Sequence, residues 1–264
     1  MIEKGQLHSS GNSGYSPCQD SLPIGSKIPF VLVHGTWHGG WCWDEVAARL
    51  RAAGHEVMTP TLPGLAGDSN DVHIGIDLAD HTRAVVELID RERMQKVVLV
   101  GHSYGGMVIS GVADRRATCI HCIVYLDAFL PKDGDSVATL LPQDRWLALE
   151  ATAKRHESGT VIPPPDAHYF PISDELAQRI TPRLSGQPIN TFRQAARLPN
   201  GGHLGVSKRI YISCDAPAME TFETTKRALR GDAAWKYHSL ATGHEAMLSQ
   251  PDAVANLLLE VAAG

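Results

Sequence analysis

Residues 97–113, VVLVGHSYGGMVISGVA, decide how the chain folds, because they join two apolar runs through a turn with a serine at its crest. The first run is short and unbroken, as in a buried strand, and the second spaces its apolar residues as a helix does. Gly101 and Gly105 flank Ser103, so neighbouring backbone can approach the turn without meeting a Cβ atom. The stretch therefore predicts a sharp strand-to-helix turn that lifts the Ser103 hydroxyl above the edge of a sheet.

The same alternation of strand and helix continues on both sides of this turn. Before it, FVLVHG at 30–35 predicts a strand, and WCWDEVAARLRAAG at 41–54 and DLADHTRAVVELIDRE at 77–92 predict helices. After it, CIHCIVYLDAF and KRIYISCD predict strands, and METFETTKRALRG and QPDAVANLLLEVAA predict helices. Unbroken apolar strands between helices are typical of an α/β fold with a mostly parallel central sheet flanked by helices.

The alternation stops between residues 131 and 206, where proline is frequent and only short helical segments are indicated. We expect 131–206 to be a cap insertion after the sixth core strand, and 28–130 with 207–264 to form one core. Residues 1–27 are rich in Ser and Gly and lack the apolar centre of a signal peptide. They predict an N-terminal arm or short leading strands.

The composition excludes several classes of partner. The 264 residues include 43% hydrophobic and 20% charged residues, and the net charge of −5 comes without any run of five basic residues. Nucleic acid and membrane surfaces are therefore not expected as partners, and no apolar run of 18 residues predicts a membrane span. The Cys119–Cys122 pair lies in a predicted strand rather than at the start of a helix, so we expect ordinary buried thiols in a cytoplasmic protein.

Ser103 needs a base if it is to act as a nucleophile, because a serine hydroxyl is a poor nucleophile until its proton is removed. The pattern G-x-S-x-G is that of a nucleophile elbow, and in the hydrolases that use it the acid follows the serine and the histidine comes last. His244, in LATGHEAML, follows the last predicted strand and precedes the C-terminal helix. His238 lies inside the strand-like WKYHSL, so we predict His244 as the base.

Two aspartates compete for the role of the acid. Asp215 ends RIYISCD, at the expected strand end, and Asp127 ends the strand that follows the elbow helix. Either carboxylate could orient the imidazole and stabilise its charged form, which is all that the role requires. The sequence leaves both candidates open.

Two backbone amides are needed to hold the oxyanion that forms when a carbonyl is attacked. We predict the N–H groups of Tyr104, which follows the nucleophile, and of Thr36, in the glycine-rich loop HGTWHGG. His34 and His38 are four residues apart in that loop, but this spacing brings two ligands together on a helix and not on such a loop. We therefore expect no metal, and we expect the two histidines to hold the loop through hydrogen bonds.

Four stretches together resemble a known family: VLVHGTWHGGWCWDEVAARLRAAGHEVMTPTLPG, VVLVGHSYGGMV, YLDAFLP and TGHEAMLSQPDAVANLL. They are similar to the plant methylesterase and hydroxynitrile lyase branch of the α/β-hydrolase superfamily and to its bacterial esterase relatives. The resemblance implies the α/β-hydrolase fold, with Ser103 as nucleophile, His244 as base, and Thr36 and Tyr104 as the oxyanion donors.

The chain departs from this branch at two places. The acid of the family usually stands three residues after the cysteine that matches Cys214, where this chain has Pro217, so both aspartates stay candidates. The lyase members carry a lysine directly after the base and a threonine in place of Gly35, whereas this chain has Glu245 and Gly35. A carboxylate there opposes a leaving cyanide electrostatically, so lyase activity is not expected.

The resemblance and the motifs together predict a serine carboxylic ester hydrolase that works through an acyl-enzyme on a small apolar or aryl ester. Methyl esters are among the candidates. We expect His38, Phe129 and Trp146 to contact the substrate and no cofactor to be needed. The alternatives are a lactone or C–C bond hydrolase with the same triad and a ligand-binding protein on the same fold. The sequence also permits a homodimer.

Overall fold

The apolar runs of the sequence are the strands of a parallel sheet in the computed structural model, which describes residues 27–65, 75–166 and 169–263. Within these residues the strands are β1 (Phe30–Val33), β2 (Val57–Met58), β3 (Val97–His102), β4 (Ile120–Leu126), β5 (Val161–Ile162), β6 (Gln187–Pro188), β7 (Arg209–Cys214) and β8 (Lys236–Leu240). Six of them form one sheet in the order β2-β1-β3-β4-β7-β8, and every neighbouring pair in it is parallel. The predicted α/β fold with a mostly parallel sheet is confirmed.

The described helices connect these strands. They are α1 (Asp44–Ala52), α2 (Leu78–Arg91), α3 (Gly105–Arg116), α4 (Val137–Leu140), α5 (Gln143–Arg155), α6 (Asp174–Ile180), α7 (Asn190–Arg193), α8 (Glu220–Leu229), α9 (Ala246–Ser249) and α10 (Pro251–Ala263). No helix in this described part of the chain has both the length and the apolar character needed to cross a bilayer.

Both faces of the sheet are buried, as the unbroken apolar strands require. Successive side chains of a strand point to opposite faces, so Val31 and Leu99 join one buried cluster while Leu32 and Val98 join the other. Helices α2 and α3 contribute to the first cluster, and α1 and α10 contribute to the second. The carboxyl ends of β1, β3, β4 and β7 therefore meet at one edge between these layers, and the chemistry-bearing residues follow those ends.

The segment between β4 and β7 interrupts the alternation, as the sequence indicated. It contains α4 to α7 and the antiparallel pair β5-β6. The strand before it, β4, is the fourth in chain order within the described residues, whereas the sequence analysis counted a sixth. Leading strands were expected within residues 1–27, of which only Lys27 is described. The division into arm, core and cap stays a prediction.

Candidate active site

Ser103 lies between β3 and α3 in the left-handed region of the backbone, with φ of 53°. Its carbonyl oxygen accepts hydrogen bonds from the N–H groups of Gly106 and Phe129, both at 3.1 Å. A Cβ atom on Gly105 would lie 2.7 Å from the carbonyl oxygen of Val33, so only glycine lets the turn pack this closely against β1. A non-glycine residue at positive φ is strained, and such strain persists where the surrounding structure holds it for a function.

His244 follows β8 and lines the same cavity as Ser103. Its Nδ1 donates a hydrogen bond to Oδ2 of Asp127 over 2.7 Å. With the proton on Nδ1, a neutral imidazole keeps its lone pair on Nε2, the atom that a general base uses. The Ser103 hydroxyl makes no hydrogen bond with His244 among the described residues, and in unliganded active sites such bonds often tighten only when substrate binds.

The pKa of His244 lies above its ordinary value. Complete burial opposes the charged imidazole, but the hydrogen bond and negative charge of Asp127, together with the charge of Glu245, outweigh it. Lys226 works in the opposite direction. Phe222 stacks on the imidazole with ring centroids 5.4 Å apart and so limits the orientations of the ring. The histidine is therefore fixed in orientation and stabilised in the protonated form that proton transfer from a serine produces.

Asp127 is fully buried and has three donors around its carboxylate. Oδ2 accepts from His244, while Oδ1 accepts from the ammonium group of Lys226 at 2.8 Å and from the N–H of Cys214 at 3.2 Å. The Lys226 side chain is itself fully buried, and it also donates to the carbonyl oxygen of Cys214 over 2.7 Å. Burial lowers the pKa of Lys226, but the charge and hydrogen bond of Asp127 raise it more. Asp127 and Lys226 thus form a buried ion pair, and Asp127 connects that pair to His244.

Asp215, the other candidate, shares Lys226 with Asp127 but otherwise makes different contacts. Its carboxylate accepts from the hydroxyl groups of Ser213 and Ser239, and it lies 3.4 Å from the guanidinium group of Arg230 and 3.5 Å from the ammonium group of Lys226. It has no contact with His244 in the described structure, and 24% of its side chain is exposed. The structure therefore brings Asp127, and not Asp215, to the histidine.

Sequence reasoning missed Lys226. The residue lies on α8, whose buried positions Phe222, Lys226 and Leu229 follow the i, i+4, i+7 spacing of one helix face. A lysine on the apolar stripe of a helix could have been found from that spacing, because such a position requires a buried partner for the charge.

The two predicted oxyanion donors both lack an acceptor among the described residues. The N–H of Tyr104 stands directly before α3, where the first turn of a helix leaves amide groups unpaired and adds positive potential. Thr36 lies in the loop after β1, which passes against the turn: a Cβ atom on Gly35 would be 2.9 Å from Cβ of Ser103. The free N–H of Tyr104 therefore adjoins Ser103 in the chain, and the loop that carries the free N–H of Thr36 lies next to Ser103 in space.

Two buried histidines hold this loop. Nδ1 of His34 donates to the carbonyl of Gly35 at 2.8 Å, and its Nε2 accepts from the N–H of Leu62 at 3.0 Å. Nδ1 of His38 donates to the carbonyl of Thr36 at 2.8 Å. Burial lowers the pKa of His34 to about 3, so it acts as a neutral hydrogen-bonding group. These bonds are the loop-holding role predicted from the sequence.

A cavity of about 270 Å³ opens above the serine. Its size suits a small organic molecule, since ligand sites usually begin near this volume. The apolar side chains that line it come from the sheet edge, from the segment between β4 and β7 and from the start of α8, and they include Trp37, Phe129, Leu141, Leu149, Phe170, Phe192, Met219 and Phe222. Phe129 and His38, two of the three predicted substrate contacts, are among the lining residues, and their contact with a substrate stays a prediction.

Trp146, the third predicted contact, is not among the residues that line this cavity. Helix α5 instead presents Arg145, Leu149 and Thr152 to it, at the spacing of one helix face. Trp146 follows Arg145 by one residue and is turned about 100° away, so it packs against the hydrophobic core. The prediction for this residue needs correction, because composition alone cannot say which face of a helix meets the cavity.

Three buried groups in the cavity could in principle hold a metal ion. One ligand atom each from His102, His244 and Glu245 lies within 4.8 Å of the others. However, Nε2 of His102 already binds the carbonyl oxygen of His244 at 3.0 Å, and Nδ1 of His244 is bound to Asp127. These contacts give the two imidazoles other partners, and the expectation of no metal stays a prediction.

Comparison with known proteins places this geometry in context. Residues 30–257 match the family described as the alpha/beta hydrolase family. The chain is 38% identical over 237 residues to a carbendazim hydrolyzing esterase of Nocardioides sp. (strain SG-4G), covering 87% of this chain and 97% of that protein. It is 29% identical over 255 residues to salicylic acid-binding protein 2 of Nicotiana tabacum, covering 88% and 96%.

A solved structure of a related protein has the same fold. The extracellular alpha/beta-hydrolase from a Paenibacillus species superposes with a TM-score of 0.77 at 28% identity, over 89% of this chain and 98% of that chain.

Proposed function

The chain belongs to the alpha/beta hydrolase family, and we propose that it is a serine esterase in which Ser103, His244 and Asp127 form the catalytic triad. Hydrolysis of carboxylic esters as the general activity follows from the similarity to a named esterase over nearly the whole chain. The observation that carries the triad is the 2.7 Å bond between Nδ1 of His244 and the buried Asp127 carboxylate, beside the strained turn at Ser103.

In the proposed first step, Nε2 of His244 takes the proton of the Ser103 hydroxyl as the serine oxygen attacks the ester carbonyl. The negative charge that develops on the carbonyl oxygen is held by the N–H groups of Thr36 and Tyr104, aided by the N-terminus of α3. Asp127 stabilises the imidazolium that forms, which agrees with the raised pKa of His244.

The second half of the cycle reverses these transfers. His244 gives its proton to the oxygen of the departing alcohol, and the acyl group stays on Ser103. A water molecule then loses a proton to His244 and attacks the acyl carbonyl, which releases the carboxylic acid and returns the proton to the serine. No step requires a cofactor.

The cavity supports a small apolar or aryl ester as the substrate. Aromatic and aliphatic side chains dominate its lining, and its volume of about 270 Å³ leaves room for one ring and a short chain. Methyl esters fit this description, and four plant proteins that resemble the chain bear the name methylesterase.

Hydrolysis of p-nitrophenyl acetate by the wild type and by Ser103→Ala tests the proposal. The variant should lose about a thousandfold or more in kcat, because the nucleophile is gone, while the exposed Ser158→Ala serves as the matched control. In the wild type, kcat/KM should fall as the pH drops through the raised pKa of His244, since only the neutral imidazole accepts a proton. Turnover that persists in Ser103→Ala would instead indicate a ligand-binding protein with incidental reactivity.

Two observations argue against the activity of the hydroxynitrile lyases, which belong to the branch that the chain resembles. Glu245 supplies a negative charge directly after His244, where the lyases carry a lysine. Any side chain at position 35 would also place its Cβ atom 2.9 Å from Ser103, so the threonine of the lyases does not fit without movement. A panel of lactones and β-diketones separates the remaining hydrolase alternatives from simple ester cleavage.

A cytoplasmic location and a homodimer complete the proposal. Cys42, Cys122 and Cys214 are buried free thiols, which reducing compartments preserve, whereas Cys119 is disulfide-bonded, so the prediction of ordinary thiols is wrong at that residue. Cell fractionation and light scattering are the direct measurements of the two.

A further inference from the structure

A cation that the proposed mechanism does not use faces the cavity. Arg145, on α5, is partly buried and lines the cavity together with its two hydrogen-bond partners, Tyr169 and Thr221. Its Nη1 donates to Oγ1 of Thr221 over 2.6 Å, and its Nη2 donates to the hydroxyl oxygen of Tyr169 over 2.9 Å. No described residue places a carboxylate within ion-pair distance of this guanidinium group, and Glu245, the carboxylate in the lining, contacts His38 instead.

The two hydroxyl groups leave the charge of Arg145 uncompensated and bring donors of their own. A guanidinium group has five N–H donors and no acceptor, and the bonds to Thr221 and Tyr169 use two of these donors. Each hydroxyl oxygen accepts from Arg145, so its own proton can point to another acceptor, and neither hydroxyl donates to a group in the described part of the chain. This end of the cavity therefore offers donors and positive charge, which an anionic group of a ligand complements.

The shape of the donor group favours a carboxylate. Thr221 belongs to α8 and Tyr169 precedes α6, so two separate parts of the chain hold the guanidinium plane in position. A planar guanidinium group binds both oxygens of a carboxylate through parallel hydrogen bonds, whereas a single carbonyl oxygen uses only part of this geometry. Tyr169 is 48% exposed, so a charged group that enters here need not lose all of its water.

Arg145 and Ser103 line the same cavity from different parts of the fold. Ser103 follows β3 at the sheet edge, whereas Arg145 lies in the segment between β4 and β7. Thr221, which binds the guanidinium group, is followed directly by Phe222, whose ring stacks on His244. Because one cavity of about 270 Å³ contains both ends, a substrate with one ring and short substituents can reach Ser103 and Arg145 together.

We propose that Arg145, Thr221 and Tyr169 form a binding site for a second carboxylate of the substrate, which makes esters with a free carboxylate remote from the ester group the preferred substrate class. The inference rests on the proposed esterase function. Ser103 attacks the ester carbonyl at one end, the apolar lining packs around the middle of the molecule, and the guanidinium group binds the free carboxylate at the other end. Hydrolysis by one water molecule then releases an alcohol and a dicarboxylic acid.

A pair of matched esters tests the site. Methyl (4-carboxyphenyl)acetate and methyl (4-isopropylphenyl)acetate differ by a carboxylate in place of an isopropyl group of similar shape, so the ratio of their kcat/KM values isolates the remote anion. In Arg145→Met this ratio should fall about 10- to 100-fold relative to the wild type, the range lost when hydrogen bonds between charged groups are removed. Arg145→Lys keeps the charge without the planar fork and should give an intermediate ratio. Arg91→Met, at a position 67% exposed on α2, is the control and should keep the wild-type ratio.

Binding separates this site from the esterase proposal itself. The full-length Ser103→Ala variant should bind intact methyl (4-carboxyphenyl)acetate at least about tenfold more tightly than the isopropyl ester in calorimetry at pH 7, and adding Arg145→Met should abolish that preference. An Arg145→Met variant that slows both esters by the same factor would overturn the site and leave the esterase intact, with Arg145 serving only to join α5 to α8. A preference for the carboxylate ester in binding without Ser103-dependent turnover would leave the site and end the esterase proposal.

Discussion

Asp127 and Asp215 follow neighbouring parallel strands, β4 and β7, and stand at the same edge of the sheet. Asp127 is fully buried and bonded to His244 and Lys226. Asp215 is partly exposed and accepts hydrogen bonds from one serine of its own strand and one of the next strand, with Arg230 and the same Lys226 within 3.5 Å. The two carboxylates are alike in position along their strands and differ in what surrounds them.

The difference explains why we propose a catalytic role for Asp127 and a structural role for Asp215. A carboxylate shielded from water exerts its full electrostatic effect on an adjacent imidazole, whereas one near the surface is screened. Asp127 is also a non-glycine residue with φ of 42°, a conformation that costs energy and turns the chain at the end of β4. Burial and a positive φ therefore distinguish Asp127 from Asp215, whereas the position at the end of a strand does not.

The largest effect expected from this difference is on the catalytic rate. Asp127→Asn should lower kcat about 10³- to 10⁴-fold, because an amide donates to Nδ1 of His244 and so favours the tautomer with its proton on Nε2. Asp215→Asn should keep kcat within about threefold of the wild type, since its carboxylate does not touch the histidine. Steady-state kinetics on p-nitrophenyl acetate give both numbers.

Comparable large losses in both variants would contradict the assignment, and so would a large loss in Asp215→Asn alone. The folded state of each variant is checked by circular dichroism, so that a rate loss is not mistaken for unfolding.

Much of the fold and of the site could be predicted from the sequence, where a local pattern sufficed. The turn at Ser103 needs glycines at fixed offsets between a strand and a helix, and the sequence displays them. His244 follows from chain order, because the last strand and the last helix bracket it. The strands and helices of the core follow from unbroken apolar runs and helical spacing.

The acid could not be predicted in the same way, since both aspartates end strands that reach the same edge. The choice depends on contacts between β4, β7 and α8, and these contacts are not local in the sequence. Lys226 adds to the difficulty, because a lysine in TTKRALRG is usually a solvated residue on a helix surface. The face of α5 that meets the cavity, and hence the displacement of Trp146, is set by tertiary packing as well.

The next effect in size concerns the buried charge that sets the two strand ends apart. Lys226→Met should lower the free energy of unfolding by about 3 to 5 kcal/mol, because it leaves the Asp127 carboxylate buried without its cation. Urea unfolding at neutral pH measures this loss. The surface variant Lys154→Met, on α5 and 64% exposed, is the control and should stay within about 0.5 kcal/mol of the wild type.

A double variant sharpens this result. Lys226→Met combined with Asp127→Asn removes both charges, so it should be more stable than Lys226→Met alone, in the manner of other buried pairs that are replaced together. Equal stability of the single and double variants would mean that the cost comes from lost packing of the lysine chain and not from an unpaired charge.

The smallest expected effect is that of replacing Asp215, which we expect to contribute to stability. Partial burial raises its pKa, but the hydrogen bonds from Ser213 and Ser239 and the charges of Lys226 and Arg230 lower it below the ordinary value. Because the folded pKa is lowered, the ionised carboxylate stabilises the protein above the pKa of the unfolded chain, and this contribution disappears as the pH falls through the folded pKa. Asp215→Asn should therefore cost about 1 kcal/mol at pH 7, and the gap to the wild type should narrow below about pH 4. Urea unfolding at several pH values measures the gap, and a gap that widened in acid would contradict the sign of this argument.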